Sequence, residues 1–270
     1  MILIVCGLFL VWDFFDVRTD QVIKESTEEG LDGGMEESMG PDRSILFGRI
    51  ILMAMLAWLL VMIKSSTAIV CLLLGIGSYF LYQSRKVTEH FGAYTILLVL
   101  IVLSFYVIGP RVFISILGKD ATLTGRTELW ADLLNIRIVP LIGAGYKSFW
   151  MGPWVLDLWE KYAFRVNQAH NGYLEIYLNG GLIGVGLLLA MIVSTGSKLK
   201  KELLDGDNLA TFVFSLFITA LISNLTEATF NALSIIWLVI LLAALYYPPS
   251  SGQPLLAENE VSETFFGYES

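Results

Sequence analysis

The chain has 270 residues, 56% of them hydrophobic and 16% charged, with a mean hydropathy of +0.69. That charged share is far below the ~25% usual for soluble domains. A soluble protein of this length has no means of hiding so much apolar surface, so the composition points to a multi-pass membrane protein. The net charge of −8 excludes nucleic acid as a partner, because no basic field exists to meet phosphates. The acid is local: Glu25, Glu28, Glu29, Asp32, Glu36 and Glu37 share one loop, and Glu258, Glu260, Glu263 and Glu269 share the tail, both read as solvated linkers. Cys6 and Cys71 sit in apolar runs and form no disulfide framework.

In chain order, residues 1–15 are apolar but shorter than the ~20 residues of a spanning helix and lack a basic lead-in, so they read as the trailing part of a truncated span. A polar Glu/Gly-rich loop follows over 16–43. Apolar runs over 45–63, 67–82 and 93–117 predict three spans, the last with Gly109-Pro110 as a kink or end. Three more are predicted over 173–195, 210–225 and 233–247.

The basic links Ser84-Arg85-Lys86 and Lys198-Leu199-Lys200-Lys201 assign the cytoplasmic side, which places the polar island between the third and fourth spans outside. The expected organisation is a truncated helix plus acidic loop at 1–44 and three transmembrane helices at 45–117. An extracytoplasmic catalytic loop occupies 118–171, three transmembrane helices 172–247, and a disordered cytoplasmic tail 248–270. The fold class is all-α, a polytopic membrane helix bundle.

Within the island, 127–138 predicts a helix capped by Thr124. Trp154, Val155, Leu158, Trp159, Tyr162, Ala163 and Val166 at helical spacing predict a second, amphipathic helix starting at Gly152-Pro153 and lying in the membrane interface. The island holds Trp130, Trp150, Trp154 and Trp159, four of the chain's seven tryptophans, which suit either an interfacial belt or a platform for sugar rings or a lipid chain.

Two residues stand out for chemistry. Arg126 offers a rigid fork of donors that matches phosphate oxygens and never loses its charge. It falls near a predicted helix N-terminus, where backbone N–H groups also favour anions, so a diphosphate held there would meet both. His170 is one of only two histidines, stands where the chain re-enters the membrane, and is available as a neutral base near pH 7. Asn171 and Glu175 lie a turn apart beside it, and Glu175 suits either orienting the imidazole or an acceptor hydroxyl, or serving the helix dipole. His90 is on the opposite predicted side, and no ligand spacing for a metal, phosphate loop or dinucleotide turn is present.

The run Thr124-Gly125-Arg126-Thr127-Glu128-Leu129-Trp130 is followed by Pro140-Leu141-Ile142-Gly143-Ala144-Gly145-Tyr146-Lys147-Ser148-Phe149, then Ala169-His170-Asn171-Gly172-Tyr173-Leu174-Glu175 and Gly180-Gly181-Leu182-Ile183-Gly184. In order and spacing these resemble the O-antigen ligase/polymerase family of bacterial membrane glycosyltransferases, and Asn224-Leu225-Thr226-Glu227 resembles its glutamate near the final outer turn. The resemblance implies a GT-C-like helical architecture in the cytoplasmic (inner) membrane, with the active loop facing the periplasm. It implies transfer of a glycan from a polyprenyl-diphosphate carrier to a lipid or glycan acceptor, without a metal or other cofactor. Membrane lipids are the other expected partners.

By the same resemblance, Arg126 and His170 are the expected catalytic pair, with Asn171, Tyr173, Glu175, Glu227 and Trp130 as expected substrate contacts. Polymerase, flippase-like transporter and fragmentary membrane component are the alternatives. Family members carry more spans than are found here, so the N-terminal half is expected to be missing.

Overall fold

The computed structural model of the chain describes residues 3–15, 43–63, 65–102, 104, 123–162, 165–230 and 233–245. The acidic loop, the tail and the latter part of the predicted span 93–117 lie outside them. Among the described residues the regular structure is helical, with one isolated bridge between Val139 and Gly143 and no strand. The elements are α1 (Leu3–Phe15), α2 (Arg43–Ile63), α3 (Ser66–Tyr82), α4 (Arg85–Glu89), α5 (Phe91–Val102), α6 (Leu123–Asn135), α7 (Trp154–Lys161), α8 (Gly172–Leu204), α9 (Asn208–Ser223) and α10 (Ile235–Leu245), with a 3₁₀ turn at Phe149–Met151.

Helix α8, at 33 residues and about 50 Å, is the one described helix long and apolar enough to cross a membrane by length and composition. The other apolar helices are shorter. Several carry faces that nothing among the described residues covers: Phe47, Trp58 and Val61 of α2 are each about two-thirds exposed. An apolar surface of that extent is what a bilayer covers.

Helix α9 is the centre of the bundle, packed against α3, α8 and α10. Its sequence explains why. Thr211, Ser215, Thr219 and Ser223 recur every four residues and are all buried. Each hydroxyl bonds back to a carbonyl three or four residues earlier, as in Ser215 to Phe212 O at 2.7 Å and Thr219 to Ser215 O at 2.7 Å. The stripe is therefore small and self-satisfied, and close helix approach follows. Gly75 of α3 sits directly on Thr219, and a Cβ there would collide with it and with Leu8 of α1. Helix α1 is packed into this core through Ile4 and Leu8, and Asp13 pairs with Arg49 of α2 at 2.9 Å.

The two basic links share one end of the bundle, where Val87 of α4 joins Leu199 and Leu203 of α8, and Lys198 Nζ donates to Ala244 O at 3.0 Å. The island and the α9–α10 turn share the other end, since Arg126 bonds Thr226 and Gly172 bonds Asn224.

Helix α8 is broken near its head. Gly181 has φ +61 and ψ −156, a conformation open essentially to glycine alone. A loop of the island passes through the break and re-satisfies its backbone. Ala144 N donates to Leu178 O and Gly145 N to Asn179 O, both at 2.9 Å. In return Leu182 N donates to Pro140 O at 2.9 Å and Ile183 N to Leu141 O at 3.1 Å. These four groups of α8 are the ones that would have bonded each other in an unbroken helix.

Two island predictions are corrected. The predicted helix 127–138 is α6, which begins at Leu123, so Thr124 lies inside the helix instead of capping it. Of the predicted stripe, Trp154–Lys161 forms a helix, the chain turns extended at Tyr162 (φ −102, ψ 131), Val166 packs into the island core, and Ala163 lies outside the described residues. The indole N–H groups of the island tryptophans are tied into the island itself. Trp130, Trp154 and Trp159 donate their indole N–H to the carbonyls of Ala169, Phe149 and Val166, and Trp150 donates to Glu175.

Gly181→Ala should lower stability by at least about 2 kcal/mol, since it adds a clash with the Leu141 carbonyl to a disallowed backbone. Gly180→Ala, where a Cβ meets nothing within 4 Å, should be neutral or stabilising by up to about 1 kcal/mol. Thermal unfolding of the two variants in the same detergent compares them directly.

Candidate active site

The site lies at the head of α8, where α6 and the α9–α10 turn meet it. Asn171 is the N-cap of α8, its Oδ1 accepting from Tyr173 N at 3.0 Å and Leu174 N at 3.1 Å. Gly172 N donates to Asn224 O at 2.8 Å, and a Cβ on Gly172 would strike the Asn224 side chain and Phe230. Asn224 in turn ties its own turn: its Oδ1 accepts from Thr229 N at 3.0 Å and Thr229 Oγ1 at 2.9 Å. Tyr173 OH donates to Leu221 O at 3.0 Å, and its ring meets Phe230 edge-on at 5.0 Å.

Glu175 is 4% exposed, and its carboxylate is enclosed by donors. Oε1 accepts from Trp150 Nε1 at 2.6 Å and Asn179 Nδ2 at 3.1 Å, while Oε2 accepts from Ala169 N at 2.9 Å. The carbonyl of the same Ala169 accepts from Trp130 Nε1 at 2.7 Å. Both backbone polar groups of the residue before His170 are thus fixed. His170 follows with φ +50, one of two non-glycine described residues in the left-handed region, the other being Lys147. Such a conformation costs about 1–3 kcal/mol and persists only where neighbours over-determine it; here the Glu175–Ala169–Trp130 bonds and the Asn171 cap do so.

The imidazole is partly buried, with Nδ1 lacking a hydrogen-bond partner among the described residues. Burial and then the Arg126 charge hold its pKa below the ordinary 6.5, opposed by the charges of Glu227 and Glu175. Arg126 stands in the first turn of α6, one Nη1–H donating to Thr226 O at 2.8 Å. Among the described residues no carboxylate pairs with it. Glu227 is the next residue after that carbonyl, in the turn closed by its N–H to Ser223 O at 3.0 Å.

Arg126, His170 and Glu227 therefore converge from three segments. Asn171, Tyr173, Glu175 and Trp130 surround them with their polar groups committed to the frame. Sequence reading missed Trp150, Asn179 and Asn224 as parts of this frame. The Glu175/Asn179 spacing of four residues was the one available signal for any of them. Elsewhere in the island, Lys161 and Tyr162 hold Asp132 at 2.6 Å each, pulling its carboxyl below the usual range and fastening α7 to α6. Among the described residues no group of His, Cys, Asp and Glu is placed to hold a metal ion.

The fold is an all-α bundle with a broken, glycine-bearing helix, at whose head Arg126, His170 and Glu227 stand. The model of the O-antigen ligase family matches residues 51–189, and the chain belongs to that family. The exopolysaccharide production protein ExoQ of Rhizobium meliloti (strain 1021) is 33% identical over 108 residues, which is 38% of this chain and 25% of that protein. The match thus spans a quarter of the relative's length. No solved structure matches the chain.

Because the folded state favours neutral His170, the unfolded chain binds more protons just below pH 6.5, and stability should fall as pH drops through that window. By NMR, with only two histidines in the chain, the His170 titration should lie below 6.5 and move upward in Arg126→Gln. Glu175→Ala, which frees Ala169 N and Trp150 Nε1, should cost about 2–4 kcal/mol from two buried donors left unpaired; chemical denaturation measures it.

Proposed function

We propose that the chain is a membrane glycosyltransferase that moves a glycan from a polyprenyl-diphosphate carrier to an acceptor sugar during surface polysaccharide assembly, in the manner of an O-antigen ligase. The observation that carries this reading is the meeting of Arg126, His170 and Glu227 at the head of α8. The acceptor hydroxyl oxygen bonds to the anomeric carbon as the bond to the carrier diphosphate breaks, and the hydroxyl proton passes to His170. The leaving group gains negative charge, and a fixed cation placed where charge develops lowers that barrier. The nucleophile is a neutral alcohol, for which a base held neutral near pH 7 is suited. Glu227 carries charge beside the imidazole and would stabilise its protonated form.

Membership of a membrane protein family, the basic links at one end of the bundle and the site at the other support placement in the bacterial cytoplasmic membrane with the island outside. The acidic carrier and the acceptor are the partners in this reading, and no nucleotide is needed because the carrier brings the activated sugar.

The test is transfer by the reconstituted chain from a polyprenyl-diphosphate oligosaccharide. Arg126→Ala and His170→Ala should each lower the rate by about 10²-fold or more, and full activity in either would sink the assignment. For orientation, a cysteine at exposed Ser148, in a background with Cys6 and Cys71 replaced, should react with an impermeant maleimide on intact cells. Labelling only after lysis inverts the topology.

A further inference from the structure

The loop that heals the break in α8 is itself built for lipid. Residues 138–146 contain no Asp, Glu, His, Lys or Arg, and Arg137 and Lys147 flank them. Ile138 and Ala144 pack into the island core, but Val139, Leu141 and Ile142 at the tip are each more than half exposed. A turn in water is built from Gly, Asn, Asp and Ser around its bend; this one presents valine, proline, leucine and isoleucine in succession. Its backbone makes little demand on water either. The carbonyls of Val139, Pro140 and Leu141 and the N–H groups of Gly143, Ala144 and Gly145 are all hydrogen-bonded, and Pro140 has no N–H to satisfy. That is the condition for irregular backbone to enter a bilayer.

The height of the loop follows from its bonds to α8. Residues 176–197 of that helix carry no Asp, Glu, Lys or Arg, and Lys198 ends the run. Residues 182–198, below the break, rise about 24 Å at 1.5 Å each, less than the ~30 Å of a hydrocarbon core. With Lys198 at one edge of the core, Leu182 N and Ile183 N lie about 6 Å inside the other. These are the groups that meet Pro140 O and Leu141 O. Leu182 and Ile183 are themselves exposed, so the tip of the loop continues an apolar strip of α8. Gly145 bonds higher up, to Asn179 O, which puts Tyr146 and Lys147 at the boundary. Tyrosine rings and lysine ammonium groups settle at that level. Apolar side chains at depth, then an aromatic and a cation at the edge, complement a phospholipid leaflet.

We infer that residues 139–142 form a re-entrant wedge that docks the island into the phospholipid acyl chains of the leaflet at the head of α8. The chain beyond the wedge runs straight to Phe149 and Trp150, which bond Asn179 and Glu175, so the bilayer fixes the height of the site as well as of the helices. The inference asks only that α8 cross the bilayer, and it is independent of the transfer chemistry proposed above.

The test uses the full chain with Cys6 and Cys71 replaced by alanine, in vesicles of phosphatidylcholine and phosphatidylglycerol. A nitroxide is attached at Ile142→Cys, Ser148→Cys or Leu187→Cys, all exposed positions. Power-saturation EPR compares collisions with oxygen, which concentrates in hydrocarbon, and with a nickel chelate, which stays in water. The label at 142 should favour oxygen, at a depth between the aqueous label at 148 and the deeper label at 187. Ile142→Asp should lower the thermal midpoint in phosphatidylcholine nanodiscs by at least about 3 °C, because it carries a carboxylate into hydrocarbon, while Ser148→Asp leaves it unchanged. A label at 142 that favours the nickel chelate overturns the wedge, as does an Ile142→Asp chain as stable as the wild type. A label shielded from both reagents assigns the loop to a protein contact and overturns it too. A label at 187 that favours the nickel chelate overturns the crossing of α8 itself.

Discussion

The structure depends on how the break in α8 is healed. In hydrocarbon there is no water to take up a free peptide group, and each one left unsatisfied costs several kcal/mol. At Gly181 the helix forfeits the bonds that Leu182 and Ile183 would have given to Leu178 and Asn179. The loop carrying Val139 to Gly145 supplies two carbonyls and two N–H groups in their place. The approach is so close that Gly143 and Gly181 each sit where a Cβ on the other's loop would meet backbone. The polar island is therefore not a flap over the membrane helices. It is spliced into one of them, and whatever the island holds is set relative to the head of α8.

That splice carries its constraint on to the site. Phe149 and Trp150 follow the loop by a few residues, and Trp150 reaches Glu175 while Phe149 N meets Asn179 Oδ1 at 3.5 Å. Glu175 then passes the constraint to Ala169, Trp130 brings α6 to the same residue, and Asn224 brings the α9–α10 turn to Gly172. Residues far apart in sequence are thus bound to within two positions of His170. A left-handed histidine is affordable only in such a frame.

The helical class and the approximate positions of the apolar helices were legible in the sequence, because uninterrupted apolar runs have few ways to satisfy their backbone in lipid. Arg126 and His170 stood out in the sequence because each was an ionisable group standing where composition gave it no other reason to be, and the structure brings the two together at the head of α8. What was not legible was direction. Gly143-Ala144-Gly145 read only as a tight turn, since nothing local says that its N–H groups serve a helix more than thirty residues away. The tryptophans suited a belt or a platform, since an indole N–H carries no mark of whether it faces water or Glu175. The Trp154 stripe ran on to Val166 by periodicity, yet the helix stops at Lys161, and Tyr162 and Val166 are drawn inward by the island core and by the Trp159 N–H to Val166 O at 2.8 Å.

The placement of Arg126 beside His170 looks at first like a poor choice for a base, because the cation lowers the proton affinity of the imidazole. A bound anion reverses the effect. A diphosphate bound at Arg126 brings charge of the opposite sign into the same space, cancels the field that depresses His170, and leaves Glu227 and Glu175 as the remaining charges bearing on it, both of which favour protonation. Under the proposed reading the empty site keeps its base neutral, and the donor itself raises the base strength when it arrives. One side chain then serves both halves of the transfer, as the holder of the leaving group and as the reason the base stays unprotonated until that group is present.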